Sequence, residues 1–181
     1  GSGFGLECAR IGAKLGMNLV LADVQQDALD KATAEIEATG AQVLSFKLDI
    51  AKAAEVEAMG EAVFKRFGAP HFVFNNAGVG AGGLIWENTL KDWEWVIGVN
   101  IMGVAHGVRV FTPMMLAAAK KDPAYQGHIV NTASKMLTIQ NLVTIFASGI
   151  PFFWKWWCSG DIRKTLRPSP YFRFVYLKYA T

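Results

Sequence analysis

The sequence has little that would staple, sort or anchor it. Its two cysteines, Cys8 and Cys158, lie far apart and form no CxxC pair. That excludes a disulfide scaffold and a structural zinc site, so reduced thiols and no bound metal are the expectation. Net charge is only +3 over 181 residues, too small a bias to call for a nucleic-acid partner. Proline is scarce, at 6 residues, and the 18 glycines follow no triplet repeat, so a collagen-like chain is excluded. No basic stretch followed by an apolar run opens the chain at Gly1, so no secretory signal is expected and the cytoplasm is the expected compartment. What remains is a chain that is 52% hydrophobic, too apolar to stay disordered and long enough for one domain.

Acid is missing from one region only. Residues 1–134 carry 11 Lys and Arg against 14 Asp and Glu, whereas residues 135–181 carry 7 against 1. Of the 22 aromatic residues, 11 fall in those last 47 positions. The expectation is an acidic globular segment over 1–134 and an atypical basic, aromatic segment over 135–181, with no Pro/Gly/Ser linker between Ser134 and Lys135.

The first segment alternates strand and helix. Leu6 to Leu15 reads as a helix entered through glycines, and Asn18-Leu19-Val20-Leu21-Ala22 as a buried strand ending at Asp23. Asp27 to Thr39 is a helix with Leu29, Ala32 and Ile36 on one face, stopped by Gly40. Val43 to Leu48 is a strand ending at Asp49, and Val56, Met59, Val63 and Phe67 mark the next helix. His71 to Phe74 is a third strand, running into Asn75-Asn76-Ala77-Gly78. A long helix starts near Asn88 or Thr89 with Trp93, Val96, Asn100 and Val104 along one stripe, and Pro113 is expected to bend or end it. His128 to Asn131 is a fourth strand, followed by Thr132-Ala133-Ser134. Strands separated by helices predict crossover connections and a parallel sheet.

In such a sheet ligands lie beyond the carboxyl ends of the strands. Each strand ends in small or polar residues: Asp23, Asp49, the Asn75–Gly78 turn, and Thr132 to Ser134. Gly1-Ser2-Gly3-Phe4-Gly5 opens the first helix, where glycines let backbone approach a pyrophosphate and free N–H groups meet it. Asp23 closes the following strand, where a carboxylate can accept hydrogen bonds from an adenosine ribose and would repel a 2′-phosphate. The two signals together point to a dinucleotide, NAD rather than NADP.

Gly3-x-Gly5, Asp23, Asp49-Ile50, Asn75-Asn76-Ala77-Gly78, Asn100 and Ile129-Val130-Asn131-Thr132-Ala133-Ser134, in this order, resemble the short-chain dehydrogenase/reductase family. The resemblance covers residues 1–134. It implies a Rossmann-like, doubly wound parallel α/β sheet, a nicotinamide cofactor, and interconversion of a small-molecule secondary alcohol and a ketone. It also implies homodimers or homotetramers, with no nucleic acid and no membrane as partners. By the same resemblance Gly3, Phe4 and Gly5 line the pyrophosphate, Asp23 meets the adenosine ribose, and Asp49 and Ile50 flank the adenine. Asn76, Ala77 and Gly78 pass beside the cofactor. Asn100 matches the family's helix asparagine, which holds a proton-relay water, and Ser134 the serine that hydrogen-bonds the substrate oxygen. The family's first strand, central in its sheet, and the first glycine of its motif have no counterpart here, so the sheet is expected to be incomplete.

The chemistry also needs a general acid/base on the substrate oxygen. The family uses Tyr-x-x-x-Lys, with both side chains on one helix face and the ammonium favouring tyrosinate. In the window where that pair would fall, Ile145 to Pro151, there is neither Tyr nor Lys, and no Tyr in the chain has Lys four positions later. The match stops at Ser134, where the composition also breaks. Residues 135–181 therefore read as a replaced segment, from a frameshift, a retained intron or a spliced gene fragment, in place of the family's catalytic half. A non-catalytic dinucleotide-binding or interaction module with a basic aromatic tail is the alternative. Within that tail, Tyr171 to Tyr179 has strand composition and could add to a sheet edge or fill an empty strand slot.

Overall fold

The computed structural model describes residues 3–133 and the strand Arg173–Leu177. Its elements are α1 (Phe4–Lys14), β1 (Asn18–Asp23), α2 (Gln26–Glu37), β2 (Val43–Lys47), α3 (Ala53–Phe67), β3 (Phe72–Asn75), α4 (Leu90–Ile97), a π-helical turn (Gly98–Gly103), α5 (Val104–Lys121), β4 (His128–Asn131) and β5 (Arg173–Leu177). The five strands form one sheet in the order β2-β1-β5-β3-β4, with every pairing parallel. The expected parallel α/β sheet is present. The strand composition around Tyr171–Tyr179 is realised as β5, in the central slot of the sheet rather than at an edge.

Both faces of the sheet are covered, as a parallel sheet requires. Successive residues of a strand point to opposite faces, and β1 divides accordingly. Leu19 and Leu21 join Leu6 and Ala9 of α1 and Leu29, Ala32 and Ile36 of α2 in one apolar cluster. Val20 and Ala22 join Val56, Met59 and Val63 of α3 and Phe111 and Met115 of α5 in the other. Phe72 and Phe74 of β3 lie in the first cluster and Val73 in the second. The winding of helices on two sides thus follows from β-strand periodicity in two short apolar runs.

The long helix differs from its expected form in two ways. Its regular turns are interrupted by the π-helical turn Gly98–Gly103, which inserts an extra residue and resets the inward stripe to Val96, Val99, Gly103, Phe111 and Met115. Pro113 lies inside α5 without ending it. Pro113 is exposed, so the carbonyl one turn earlier, freed of its N–H partner, can turn to water. The run Leu90–Lys121 is long and apolar enough to cross a membrane by length and composition. Here its inward stripe packs over the sheet instead.

The start of α4 is fixed by a capping box. The Thr89 hydroxyl accepts from the Asp92 N–H, and the Asp92 carboxylate accepts from the Thr89 N–H at 2.9 Å and from its hydroxyl at 2.7 Å. These bonds hold the Asp92 carboxyl below its ordinary range. A depressed folded-state value means that its contribution is present above the unfolded-state pKa and is lost as pH falls through the folded one. Thr89→Ala is expected to cost about 1 kcal/mol at neutral pH. Urea unfolding at several pH values should show that cost shrinking in acid; a cost independent of pH would contradict the reciprocal cap.

Candidate functional site

Because the strands are parallel, their carboxyl ends share one rim. Asp23 ends β1, Asn75 ends β3 in register with Asn131 of β4, and Asp49 follows β2 by two residues. The strand ends at Asp23, Asp49, Asn75 and Asn131 therefore lie on one edge of the sheet.

At the start of α1, Gly3 is the N-cap, with φ 70° and ψ −156°. That left-handed conformation favours glycine. Among the described residues, a Cβ at Gly3 would meet nothing within 4 Å. The first N–H with an intrahelical partner is that of Glu7, which donates to the Gly3 carbonyl at 3.3 Å. The N–H groups of Phe4, Gly5 and Leu6 lie at the helix start, where no intrahelical acceptor exists. Phe4 is exposed and Gly5 is buried. This is an arrangement that can receive a phosphate.

Asp23 is 2% exposed, and its Oδ1 accepts from the Gln25 N–H at 3.0 Å. Its backbone carbonyl accepts from the Leu48 N–H at 3.1 Å, which ties the ends of β1 and β2. The carboxylate is thus fixed at the strand end, with little open surface. Asp49 is held from both sides: its Oδ1 accepts from the Ala51 N–H at 3.0 Å, and its own N–H donates to Glu55 at 2.7 Å. That N–H, followed by the ion pair with Lys52 at 3.0 Å, keeps the Glu55 carboxyl below its ordinary range. Ile50 points inward, where a Cβ on Gly103 would come within 2.3 Å of its Cδ1. A cleft of about 490 Å³ lies beside this corner, lined by Val24, Phe46, Asp49, Lys52 and Met59 among others. It includes Asp49 but neither Asp23 nor the Asn75–Gly78 turn, so it covers one flank of the rim and not its centre.

The turn after β3 is the most heavily bonded part. Asn75 donates from Nδ2 to Asn131 Oδ1 at 2.8 Å, and its carbonyl accepts from the Thr132 N–H at 2.9 Å. The Thr132 hydroxyl donates to Asn76 Oδ1 at 2.7 Å. Ala77 is buried and Gly78 exposed. Asn100, in the π-helical turn, donates from Nδ2 to the Val79 carbonyl and accepts at Oδ1 from the Val79 N–H, both at 2.8 Å. Asn100 therefore clamps the chain just beyond Gly78. Ser134 lies outside the described residues, as does nearly all of the segment 135–181.

Three parts of the site escaped the sequence reading: the bridge from Thr132 to Asn76, the Glu55 carboxylate behind Asp49, and the packing of Gly103 and Gly107 under the rim. Only the last had a signal, two glycines four apart on a helix, a spacing that puts both on one face. Cys8 adds nothing to the chemistry: burial pushes its thiol up to about 11, which leaves it protonated at neutral pH.

Comparison with known proteins gives the same frame. The family model for short chain dehydrogenases matches residues 1–145. Among curated proteins, a C alpha-dehydrogenase of a Sphingobium species is 37% identical over 135 residues, covering 74% of this chain and 42% of that protein. A cyclohexanol dehydrogenase of an Acinetobacter species is 34% identical over 145 residues, covering 78% of this chain and 55% of that one. A short chain dehydrogenase/reductase from Burkholderia phymatum, solved in complex with NAD, superposes with a TM-score of 0.72 at 38% identity, covering 97% of this chain and 61% of that one. The chain spans about half the length of the curated relatives it matches.

Proposed function

The chain belongs to the short-chain dehydrogenase/reductase family of oxidoreductases, and from that membership we propose that it is the NAD-binding portion of a cytoplasmic enzyme interconverting a secondary alcohol and a ketone. The observation that supports this reading is that Asp23 and the bonded Asn75–Gly78 turn lie at the carboxyl ends of parallel strands of one sheet. In this reading the N–H groups of Phe4 and Gly5 hold the pyrophosphate, with Gly3 leaving the space for it. Asp23, already oriented by Gln25, accepts from the adenosine ribose. The adenine lies against the corner at Asp49 and Ile50, beside the cleft. Asn76, Ala77 and Gly78 run along the nicotinamide half, and bound NAD would supply or accept the hydride. Ser134 would hydrogen-bond the substrate oxygen, and Asn100 would serve the proton relay from the π-helical turn.

The 181 residues contain no Tyr-x-x-x-Lys pair to move the proton. On this reading they bind the dinucleotide without turning it over. A secondary alcohol is the substrate class because one relative bears the name cyclohexanol dehydrogenase, and cyclohexanol is a secondary alcohol.

Titration of NADH and NADPH by fluorescence tests this. NADH is expected to bind about tenfold more tightly than NADPH, a difference of about 1.4 kcal/mol from repulsion between Asp23 and a 2′-phosphate. Asp23→Ser should bring the two affinities within about threefold. Alcohol-dependent reduction of NAD should stay at the level of the blank. No NADH binding by a folded chain would refute the assignment of the rim, and turnover would refute the account of the missing base.

A further inference from the structure

The ends of β3 and β4 are joined by three hydrogen bonds that differ in what they depend on. Asn75 Nδ2 donates to Asn131 Oδ1 at 2.8 Å, and the Thr132 N–H donates to the Asn75 carbonyl at 2.9 Å. The first joins two residues paired in the sheet, and the second continues the backbone ladder by one step, so neither needs any particular side chain at 132. The third bond does. The Thr132 hydroxyl donates to Asn76 Oδ1 at 2.7 Å, across 56 positions of sequence. It reaches past the last paired residue of β3 and into the turn beyond.

Stability of the fold gives little reason for this third bond. Thr132 is exposed and Asn76 half-buried, so water competes for both groups. Its effect on shape is larger. A threonine side chain is stiff at χ1, so its hydroxyl fixes the acceptor in direction as well as in distance. At the other end of the turn, Asn100 holds both the N–H and the carbonyl of Val79 at 2.8 Å. Asn76–Gly78 is thereby tied at its start by Thr132 and just past its end by Asn100, with Ala77 buried and Gly78 exposed between the two ties. A loop fixed at both ends before it meets a ligand loses little freedom on binding.

We propose that Thr132 is a positioning residue for the nicotinamide half of the dinucleotide: its hydroxyl, acting through Asn76, holds the Asn76–Gly78 turn in the form that this half binds. The proposal rests on the reading of the rim given above, in which that turn runs along the nicotinamide half while Gly3 to Gly5 and Asp23 serve the pyrophosphate and adenosine. It follows that losing the hydroxyl weakens one half of the ligand and spares the other, which a general loosening of the fold would not do.

Calorimetric titration of the full chain with NADH and with ADP, which lacks the nicotinamide and its ribose, tests this. Thr132→Val keeps the shape of the side chain but has no donor. It is expected to bind NADH about tenfold more weakly than the parent and ADP within about twofold of it. Thr132→Ser restores the hydroxyl and should bring NADH back to within about threefold of the parent. Adding Thr132→Val to Asn76→Ala should change NADH affinity by less than about twofold, because the hydroxyl then has nothing to act through. Parent-like NADH binding by Thr132→Val, a loss shared equally by ADP, or a full further loss in the Asn76→Ala background would each overturn the proposal while the reading of the rim stands. So would a Thr132→Val chain that no longer folds, since the bond would then serve the fold itself. A folded parent chain that does not bind NADH would overturn the proposal and the reading together.

Discussion

Replacing Gly107 with alanine is expected to destabilise the protein by about 2–4 kcal/mol, although helix propensity alone would favour the change by about 1 kcal/mol. Gly107 lies in α5 where the helix crosses the end of β3. A Cβ there would stand 2.3 Å from Asn75 Oδ1 and 3.0 Å from its Cγ, far inside contact distance. Asn75 cannot turn aside cheaply. It is 2% exposed, and its Nδ2 is spent on Asn131 across the β3–β4 pair. Moving it forfeits that bond and leaves buried amide groups without partners, at about 1–3 kcal/mol. The alternative, lifting α5 off the sheet, would open the cluster that contains Phe111 and Met115. Urea unfolding of Gly107→Ala, Asn75→Ala and the double variant gives the coupling directly. The double variant should be more stable than the sum of the singles predicts by at least about 1 kcal/mol, because removing the Asn75 amide makes room for the new methyl. A neutral or stabilising Gly107→Ala would mean that α5 does not approach β3 this closely.

That contact also marks where reading the sequence reached its limit. The apolar runs of β1 and β3 and the spacing of Val56, Met59, Val63 and Phe67 in α3 are local patterns, and each element formed where its pattern placed it. The polar strand ends were legible for the same reason: in a parallel sheet the end of an apolar run is the rim. Other features depend on partners distant in sequence. A glycine inside a helix reads only as a propensity cost until the helix meets Asn75 or Ile50. A steady 3.6-residue period read through Asn100 and Val104 passed over the π-helical turn, whose extra residue moves the inward positions to Val99 and Gly103. Pro113 signalled a bend or an end of the helix; the end does not occur there, because the exposed face of α5 gives the unpaired carbonyl access to water. The place of β5 was the least legible. Its composition marks a strand, but nothing local to Arg173–Leu177 names β1 and β3 as its neighbours. A strand last in sequence and central in space makes only long-range contacts, which cost the most chain entropy to form.

The second large effect concerns Asn100, and its chemistry separates a clamp from a bystander. Asn100→Ala deprives both the N–H and the carbonyl of Val79 of their partners, and Val79 is 3% exposed. Two lost bonds to buried backbone groups should cost about 2–4 kcal/mol and loosen the chain from Ala77 to Val79. On the proposed reading, NADH affinity should fall about tenfold with it. Asn100→Asp is the sharper variant. An ionised aspartate still accepts from the Val79 N–H but has no donor for the carbonyl, and it sets negative charge against that oxygen. Protonation restores the donor. The folded-state pKa of the new carboxyl should therefore be raised above its unfolded value. Its favourable contribution is then complete below the unfolded pKa and is lost as pH rises through the folded one. Asn100→Asp should accordingly approach the parent stability near pH 4 and fall toward Asn100→Ala by pH 8, when both are referred to the parent at each pH. A gap between the two variants that does not change with pH would show that the side chain at 100 does not donate to Val79. The turn beyond β3 would then owe its shape to Thr132 and Asn131 alone.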